Sequence, residues 1–375
     1  MSENKKFDNH LKSLLDKKEA DGLLRRLVSV TDTIDFCSND YLGFASKNDL
    51  YDHSISSISM GSTGSRLITG NSTLAEDTEG MIAQFHKAEA ALIYTSGYMA
   101  NVGLFACIAS KNDTIISDEY IHASIIDGIR LSKAHRSVFK HNDLVDLENK
   151  LQYSTGKKIV VVESIYSMDG DEAPLSKIAD LCEKYGAILI VDEAHSTGIY
   201  GENGEGLVCQ YGLENRVYAC LHTFGKALGF HGAAIVGSVV LRQYLINYSR
   251  SFIYTTALPP SFYFQIQNIY QALTNAPRNV LFYLIQYWKE NVVTVKKYSI
   301  IESHSPIQSI VIGDNFKAKS IENQLISKGF FVKAILSPTV AVGTERLRIS
   351  LHSFNTKDQI NRLIDTLNLA TTHNS

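Results

Sequence analysis

Lys226 stands between Gly225 and Gly229 in the run CLHTFGKALG (220–229), with Thr223 three residues before it. The residues leading in, VYACLHTF, are apolar and β-prone enough for a strand, whereas Gly-Lys-Ala-Leu-Gly is too rich in glycine for a robust helix. An amine at the end of a buried strand, flanked by small residues, has room for a bulky partner. An aldehyde cofactor held as a Schiff base is the chemistry such a lysine supports. A lone lysine is more often a solvated surface charge, so the other motifs decide. VDEAHSTG (191–198) places Asp192 and His195 just past a second apolar run. A pyridine ring is an electron sink only while its nitrogen is protonated, and a buried carboxylate such as Asp192 stabilises that cation at close range. His195 is spaced to hydrogen-bond a phenolic oxygen. These positions point to pyridoxal 5'-phosphate on Lys226.

Further positions fit the same cofactor. Ser96-Gly97-Tyr98 joins a strand to a helix start, where free N–H groups bind phosphate. Thr223, Thr255 and Thr256 offer further hydroxyls, and Glu163 and Ser167 flank the end of KIVVVESIYS. His122, after Asp118-Glu119-Tyr120-Ile121, is a flat ring able to stack on a pyridine. Each residue alone has a plainer explanation. DEAH could be a strand-end turn, the threonines β formers, the histidine a structural residue. A helicase origin for DEAH lacks a GxxxxGK[ST] loop upstream.

The elements that must position these groups follow from periodicity. Between about residue 88 and residue 237, short β-branched runs (ALIY, TIISD, SVFKHND, KIVVVES, AILIVDEAH, VYACLHTF, GAAIVGS) alternate with helical patterns. That alternation predicts an α/β fold with a mainly parallel, seven-stranded sheet covered on both faces. Sites in such sheets form at the carboxyl ends of the strands, where this chain keeps its polar residues. After Pro259-Pro260 come aromatic helical stretches, then SPIQSIVIG, FFVKAIL and RLRISLH as strands. The expected organisation is an N-terminal helix and short β segment (1–45), a large cofactor-binding domain (46–275) and a smaller α+β domain (276–375).

Composition narrows the class. Of 375 residues, 45% are hydrophobic and 20% charged, which suits a soluble globular chain. The net charge of −3 gives no basic surface for nucleic acid and no polybasic tract for membranes. The N-terminus has no apolar core for a secretory signal, and no run of about 18 apolar residues occurs. Five cysteines without a CxxC pair indicate reduced thiols, a cytoplasmic setting and no zinc site.

As a set, the motifs resemble the α-oxoamine synthases, fold-type-I pyridoxal-phosphate enzymes that condense an amino acid with an acyl thioester and release CO2. The resemblance runs from about Asp21 to Leu367. It is carried by NDYLGF (39–44), GSTGSRLITGN (61–71), TSGYMAN (95–101), HASIIDG (122–128), FKHND (139–143), VVESIYSMDGDEAPL (161–175), VDEAHSTGIYGENGEG (191–206), HTFGKALG (222–229), IYTTALPP (253–260), SPIQSIVIGDN (305–315) and PTVAVGTERLRISL (338–351). NDYLG, the GS-x-GSR loop and the SPIQ and RLRI segments are most similar to the branch that joins L-alanine to a pimeloyl group on coenzyme A or a carrier protein. Sister branches using glycine or serine, and an inactive dimeric scaffold, are the alternatives.

The resemblance implies roles by position. Lys226 carries the cofactor, Asp192 meets the pyridine nitrogen, His195 the phenolic oxygen, and His122 stacks on the ring. Ser96, Gly97, Tyr98 and Thr223 take the phosphate. Thr255 and Thr256 reach it from the partner subunit of a homodimer whose active site lies at the interface. Asn39 and Arg348 hold the amino-acid carboxylate, although Arg346 shares a strand face with Arg348. Departures from the family pattern fall near Ala75 and at Leu336, Ser337 and Ala341. The arginine associated with the acyl substrate is Arg25 or Arg26, although ungapped matching puts Leu24 there.

Overall fold

A computed structural model describes residues 2–29, 31–47, 50, 58–295 and 297–372. The chain forms two compact units, one of residues 39–282 and 352–354, the other of residues up to 38, 283–351 and from 355 onward.

The smaller unit holds helix α1 (Glu3–Ala20), strand β1 (Ile34–Asp35) and most of the C-terminal residues. No residue of α1 is buried, and its apolar residues Phe7, Leu11, Leu14 and Leu15 face outward.

The larger unit is built on a seven-stranded sheet: β2 (Ala90–Tyr94), β3 (Thr114–Asp118), β4 (His135–Phe139), β5 (Lys158–Glu163), β6 (Ala187–Asp192), β7 (Ala219–Thr223) and β8 (Ala233–Gly237). Their spatial order is β2-β8-β7-β6-β5-β3-β4. β3 is buried at every position and β5 at all but its first. This is the pattern of strands covered on both faces, and it explains why they read as continuous apolar runs. β8 runs antiparallel to both neighbours while the other pairings are parallel. The reason is length. Residues 224–232 join β7 to β8, fewer than the dozen or more that a parallel crossover needs.

Helices α2 (Thr73–Phe85), α3 (Gly97–Ile108), α4 (Ala123–Ser132), α5 (Leu144–Tyr153) and α6 (Leu175–Lys184) form the connections. Ser72, Ser96, His122 and Asp143 cap the first four of these by accepting N–H bonds in the first turn. Ile115, Ile159, Val161, Ile190 and Leu221 of the sheet pack against Leu104, Phe105, Ile125 and Ile129 of α3 and α4 in one buried cluster.

The smaller unit's four-stranded sheet contains β9 (Ser299–Ile301), β10 (Ile307–Val311), β12 (Lys333–Ile335) and β13 (Arg346–Ser350), all paired antiparallel. Separately, β1 pairs in parallel with β11 (Phe330–Phe331). No described helix is long and apolar enough to cross a membrane.

Candidate active site

The parallel strands of the large sheet end at one edge. Glu163 and Asp192 are register partners there, as are Asp192 and Leu221, and the start of β8 at Ala233 is opposite Tyr94 and Thr223. A cavity of about 250 Å³ opens at this edge. Nine of the residues singled out from sequence line it: Asn39, Ser96, Gly97, Tyr98, His122, Glu163, Asp192, Thr223 and Lys226.

Lys226 projects from the 224–232 loop. Phe224 N–H bonds to Gly232 O, Phe230 N–H to Phe224 O and Gly229 N–H to Lys226 O, all within 2.9 Å. Gly229 adopts φ +61°, and a Cβ there would come within 2.2 Å of Ala45 N, so glycine is required. Gly225 is different. A Cβ there would meet only Phe230 O, at 3.7 Å, an ordinary contact.

The first turn of α3 forms one wall. Ser96 Oγ accepts from Met99 N–H at 3.2 Å. A Cβ on Gly97 would lie 2.5 Å from Thr223 Cγ2, so only glycine lets α3 start this close to the end of β7. The first N–H groups of a helix have no partner within it. Beside them the buried Thr223 hydroxyl also has no hydrogen-bond partner. This is the donor set of an anion site, and a phosphate group fits it.

A hydrogen-bond chain fixes the groups opposite. Asp192 Oδ1 accepts from Ala194 N–H at 2.9 Å and Oδ2 from Asn101 Nδ2 at 2.8 Å. Asn101 gives its second amide hydrogen to Ser124 Oγ at 3.1 Å, and Ser124 meets His122 Nδ1 at 2.7 Å. Because His122 Nδ1 also faces the Ser124 N–H, it is the acceptor, and a neutral His122 carries its proton on Nε2. Burial lowers the His122 pKa, the Asp192 charge opposes that, and Lys226 reinforces it. Glu163 shifts the other way. Burial, then the Asp192 charge, raises its carboxyl well above the usual range, and its buried Oε1 has no partner. Its carboxyl lines the cavity beside Asp192 and Lys226.

Other expected positions fall elsewhere. His195 is buried and does not line the cavity. Its Nδ1 lies 2.8 Å from Tyr41 Oη, and that hydroxyl bonds Asn39 Oδ1 at 3.0 Å, so His195 faces the site through Tyr41. Thr255 and Thr256 line a separate small cleft with Arg66, Tyr94 and Thr95. Ser167 sits in a turn after β5. Arg346 and Arg348 belong to the smaller unit, on β13, where Arg348 Nη1 bonds Ser350 Oγ at 3.0 Å and Arg346 Nε bonds Thr344 O at 2.8 Å. The cavity also has walls that no motif role anticipated: Asn101, Ser124 and His231. Asn101 belongs to TSGYMAN, four residues after Gly97 and therefore on the same face of α3. That spacing was the available signal.

A lysine, a fixed carboxylate and an anion-ready helix start around one cavity at the end of a mainly parallel sheet define a fold-type-I pyridoxal-phosphate transferase. The family model for aminotransferase class I and II matches residues 31–367, and the chain belongs to that family, in its α-oxoamine synthase group. The curated 8-amino-7-oxononanoate synthase of Lysinibacillus sphaericus is 40% identical over 339 residues, covering 88% of this chain and 87% of the relative. The 8-amino-7-oxononanoate synthase 2 of Bacillus subtilis is 38% identical over 381 residues, covering 96% and 97%. Among solved structures, serine palmitoyltransferase from S. paucimobilis with PLP and myriocin bound superposes with a TM-score of 0.89 at 27% identity, over 100% of this chain and 99% of that one. The 8-amino-7-oxononanoate synthase of Francisella tularensis gives 0.77 at 30% identity, over 91% and 98%.

Proposed function

We propose that this chain joins L-alanine to a pimeloyl thioester, releasing CO2 and the free thiol, to give 8-amino-7-oxononanoate for biotin biosynthesis. The observation that carries this reading is the convergence of Lys226, Asp192, His122 and the start of α3 on one cavity, in a chain about 40% identical to enzymes of that name.

The residues present suit pyridoxal 5'-phosphate: Lys226 would hold it through its aldehyde, Asp192 would meet the pyridine nitrogen, His122 would stack on the ring, and Ser96, Gly97, Tyr98 and Thr223 would hold the phosphate. When bound, the cofactor supplies an electron sink for the α-carbon of the amino acid. The chain supplies the rest. Asp192, held by Ala194 and Asn101, presents its remaining lone pairs at a fixed point and needs no reorganisation during reaction. Lys226 Nζ removes the α-proton of alanine and later returns a proton. His122, whose Nδ1 accepts from Ser124 N–H, has Nε2–H as its donor when neutral. Arg348 and Asn39 orient the alanine carboxylate, a task suited to a forked guanidinium.

The working unit on this reading is a homodimer, in which Thr255 and Thr256 of one subunit complete the phosphate site of the other. Leu67, Ile68, Tyr98, Met99, Tyr120 and Tyr254, exposed in the unit that carries the cavity, are apolar side chains that a second subunit would cover.

The test is CO2 release measured with each amino acid and acyl thioester in turn. Release that requires both alanine and a pimeloyl thioester supports the assignment. A preference for glycine with acetyl-CoA, or serine with palmitoyl-CoA, moves the chain to a sister branch. A purified protein with no visible cofactor absorbance would make it a scaffold.

A further inference from the structure

Beside β6 and β7 lies a second, much smaller void. It measures about 30 Å³, enough for one water-sized occupant. Glu193, Cys220 and His222 line it, all buried, with one potential ligand atom from each within 4.8 Å of the others. Strand register brings them together. Cys220 and His222 are two apart on β7 and share a face. Glu193 follows β6 directly, and its N–H bonds Leu221 O at 2.8 Å, which docks it between those two residues.

The surrounding hydrogen bonds leave coordinating atoms uncommitted. Glu193 Oε1 accepts from Ser196 Oγ at 2.9 Å, Leu207 N–H at 2.7 Å and Val208 N–H at 3.1 Å. Glu193 Oε2 accepts from nothing. Thr197 gives its only hydroxyl hydrogen to Glu193 O at 2.7 Å, so in its 2.8 Å contact with His222 Nδ1 the ring must donate. That fixes the tautomer and leaves a lone pair on His222 Nε2. His86 stacks on this ring at 3.6 Å between centroids and is itself held by Glu205 O and Tyr270 Oη. An imidazole fixed through its other nitrogen, with a bare nitrogen toward a void, is arranged as metal-ligating histidines are.

We propose that this void is a divalent transition-metal site of zinc type, with Glu193 Oε2, Cys220 Sγ and His222 Nε2 as its protein ligands. The ligand types select the ion. A thiolate and an imidazole favour Zn2+ over Mg2+ or Ca2+, which require all-oxygen sites. Charge balance supports it, because one carboxylate, one thiolate and one dication sum to zero in a place where an unpaired charge is costly. On binding, the Cys220 thiol loses its proton to solvent and the S–H bond is replaced by a metal–sulfur bond. The ion would tie the end of β6 to β7, the two strands that present Asp192 and Thr223 to the neighbouring cavity.

The experiment uses the full-length, cofactor-loaded enzyme, dialysed against a chelator and then titrated with ZnCl2 in competition with a colorimetric chelator. One tight site per chain is expected, with a rise in thermal midpoint on adding zinc. Zinc K-edge absorption should show one sulfur at about 2.3 Å and nitrogen or oxygen at about 2.0–2.1 Å. Cys220→Ser and His222→Gln should each weaken binding by about 100-fold or more, exceeding the ~10–100-fold loss from removing a ligand's hydrogen-bond partner. Both should abolish the thermal shift, while Cys107→Ser should leave the titration unchanged. Retained cofactor absorbance and circular dichroism verify that the variants fold. No site tighter than the chelator, meaning a buried water only, overturns the proposal. So does zinc uptake that both variants retain, or an absorption spectrum without sulfur.

Discussion

Asp192 and Glu193 are consecutive, both buried, and serve different pockets. Asp192 is braced on both oxygens, by Ala194 N–H and by Asn101, and faces a cavity of about 250 Å³. Glu193 takes three hydrogen bonds on Oε1, none on Oε2, and faces a void of about 30 Å³. The chemistry of the two carboxylates is the same, so the difference lies in what the chain leaves room for. Gly97 lets helix α3 approach the first pocket. Glu193 is packed more tightly, since a Cβ on the neighbouring Gly206 would meet its Oε2 at 2.4 Å. One carboxylate is arranged for a cofactor-sized partner and the other for something no larger than an ion or a water.

The largest expected effect lies on the cofactor side. Lys226→Ala should lose the visible absorbance of the purified enzyme and essentially all turnover; an unchanged spectrum after dialysis would remove Lys226 from its assigned role. Asp192→Asn comes next. It should keep the cofactor but slow deuterium exchange at the alanine α-carbon by about 10²–10³, the usual cost of losing one preorganised electrostatic group. Exchange at the wild-type rate, followed by NMR, would mean that Asp192 and Glu193 do not differ as argued.

On the other side, Glu193→Leu should destabilise rather than inactivate. It strands the Leu207 and Val208 N–H groups, at about 1–3 kcal/mol for each buried orphan, while the Ser196 hydroxyl keeps Glu193 O as an acceptor. Denaturant unfolding should show a lowered midpoint, and Glu193→Gln, which keeps an oxygen for those donors, should recover most of it. A larger loss in Gln than in Leu would contradict this account.

The smallest effect concerns a third polar cluster at the same sheet edge. His141 bonds Asp118 at 3.0 Å and Asp171 at 2.7 Å. Burial disfavours its charge, but the bonds to the two carboxylates outweigh burial and raise its pKa to about 9. A pKa raised on folding adds stability that is fully present below the unfolded value near 6.5 and is lost as pH rises through about 9. Because the ring is partly solvated, roughly 1–2 kcal/mol is expected after screening. The difference in unfolding free energy between wild type and His141→Gln should shrink between pH 6.5 and 9.5. A constant difference would show that His141 acts by packing alone.

Much of this was legible beforehand. Runs such as KIVVVE and AILIVD announce strands covered on both faces, and the rule that sites gather at strand carboxyl ends located eight of the nine cavity-lining residues, Lys226 and Asp192 among them, while Asn39 came from the family resemblance. The same rule could not say that His195, three residues past Asp192, faces the site only through Tyr41. A turn's side-chain directions depend on packing from distant segments. Asn101 stood inside a quoted motif, yet its task of splitting two hydrogens between Asp192 and Ser124 depends on three segments meeting.

By itself, then, the sequence determined the class of fold, the cofactor and the residues along one edge, because periodicity and local motif spacing are written in consecutive residues. Only the tertiary structure decided which donors each buried carboxylate receives and how much space it faces. Glu193 shows the limit. In sequence it is an unremarked neighbour of Asp192, far from any CxxC spacing, and it meets Cys220 and His222 only because β6 and β7 lie side by side in register. Hydrogen-bond satisfaction and cavity size are properties of groups brought together across the sheet, and no local pattern encodes them.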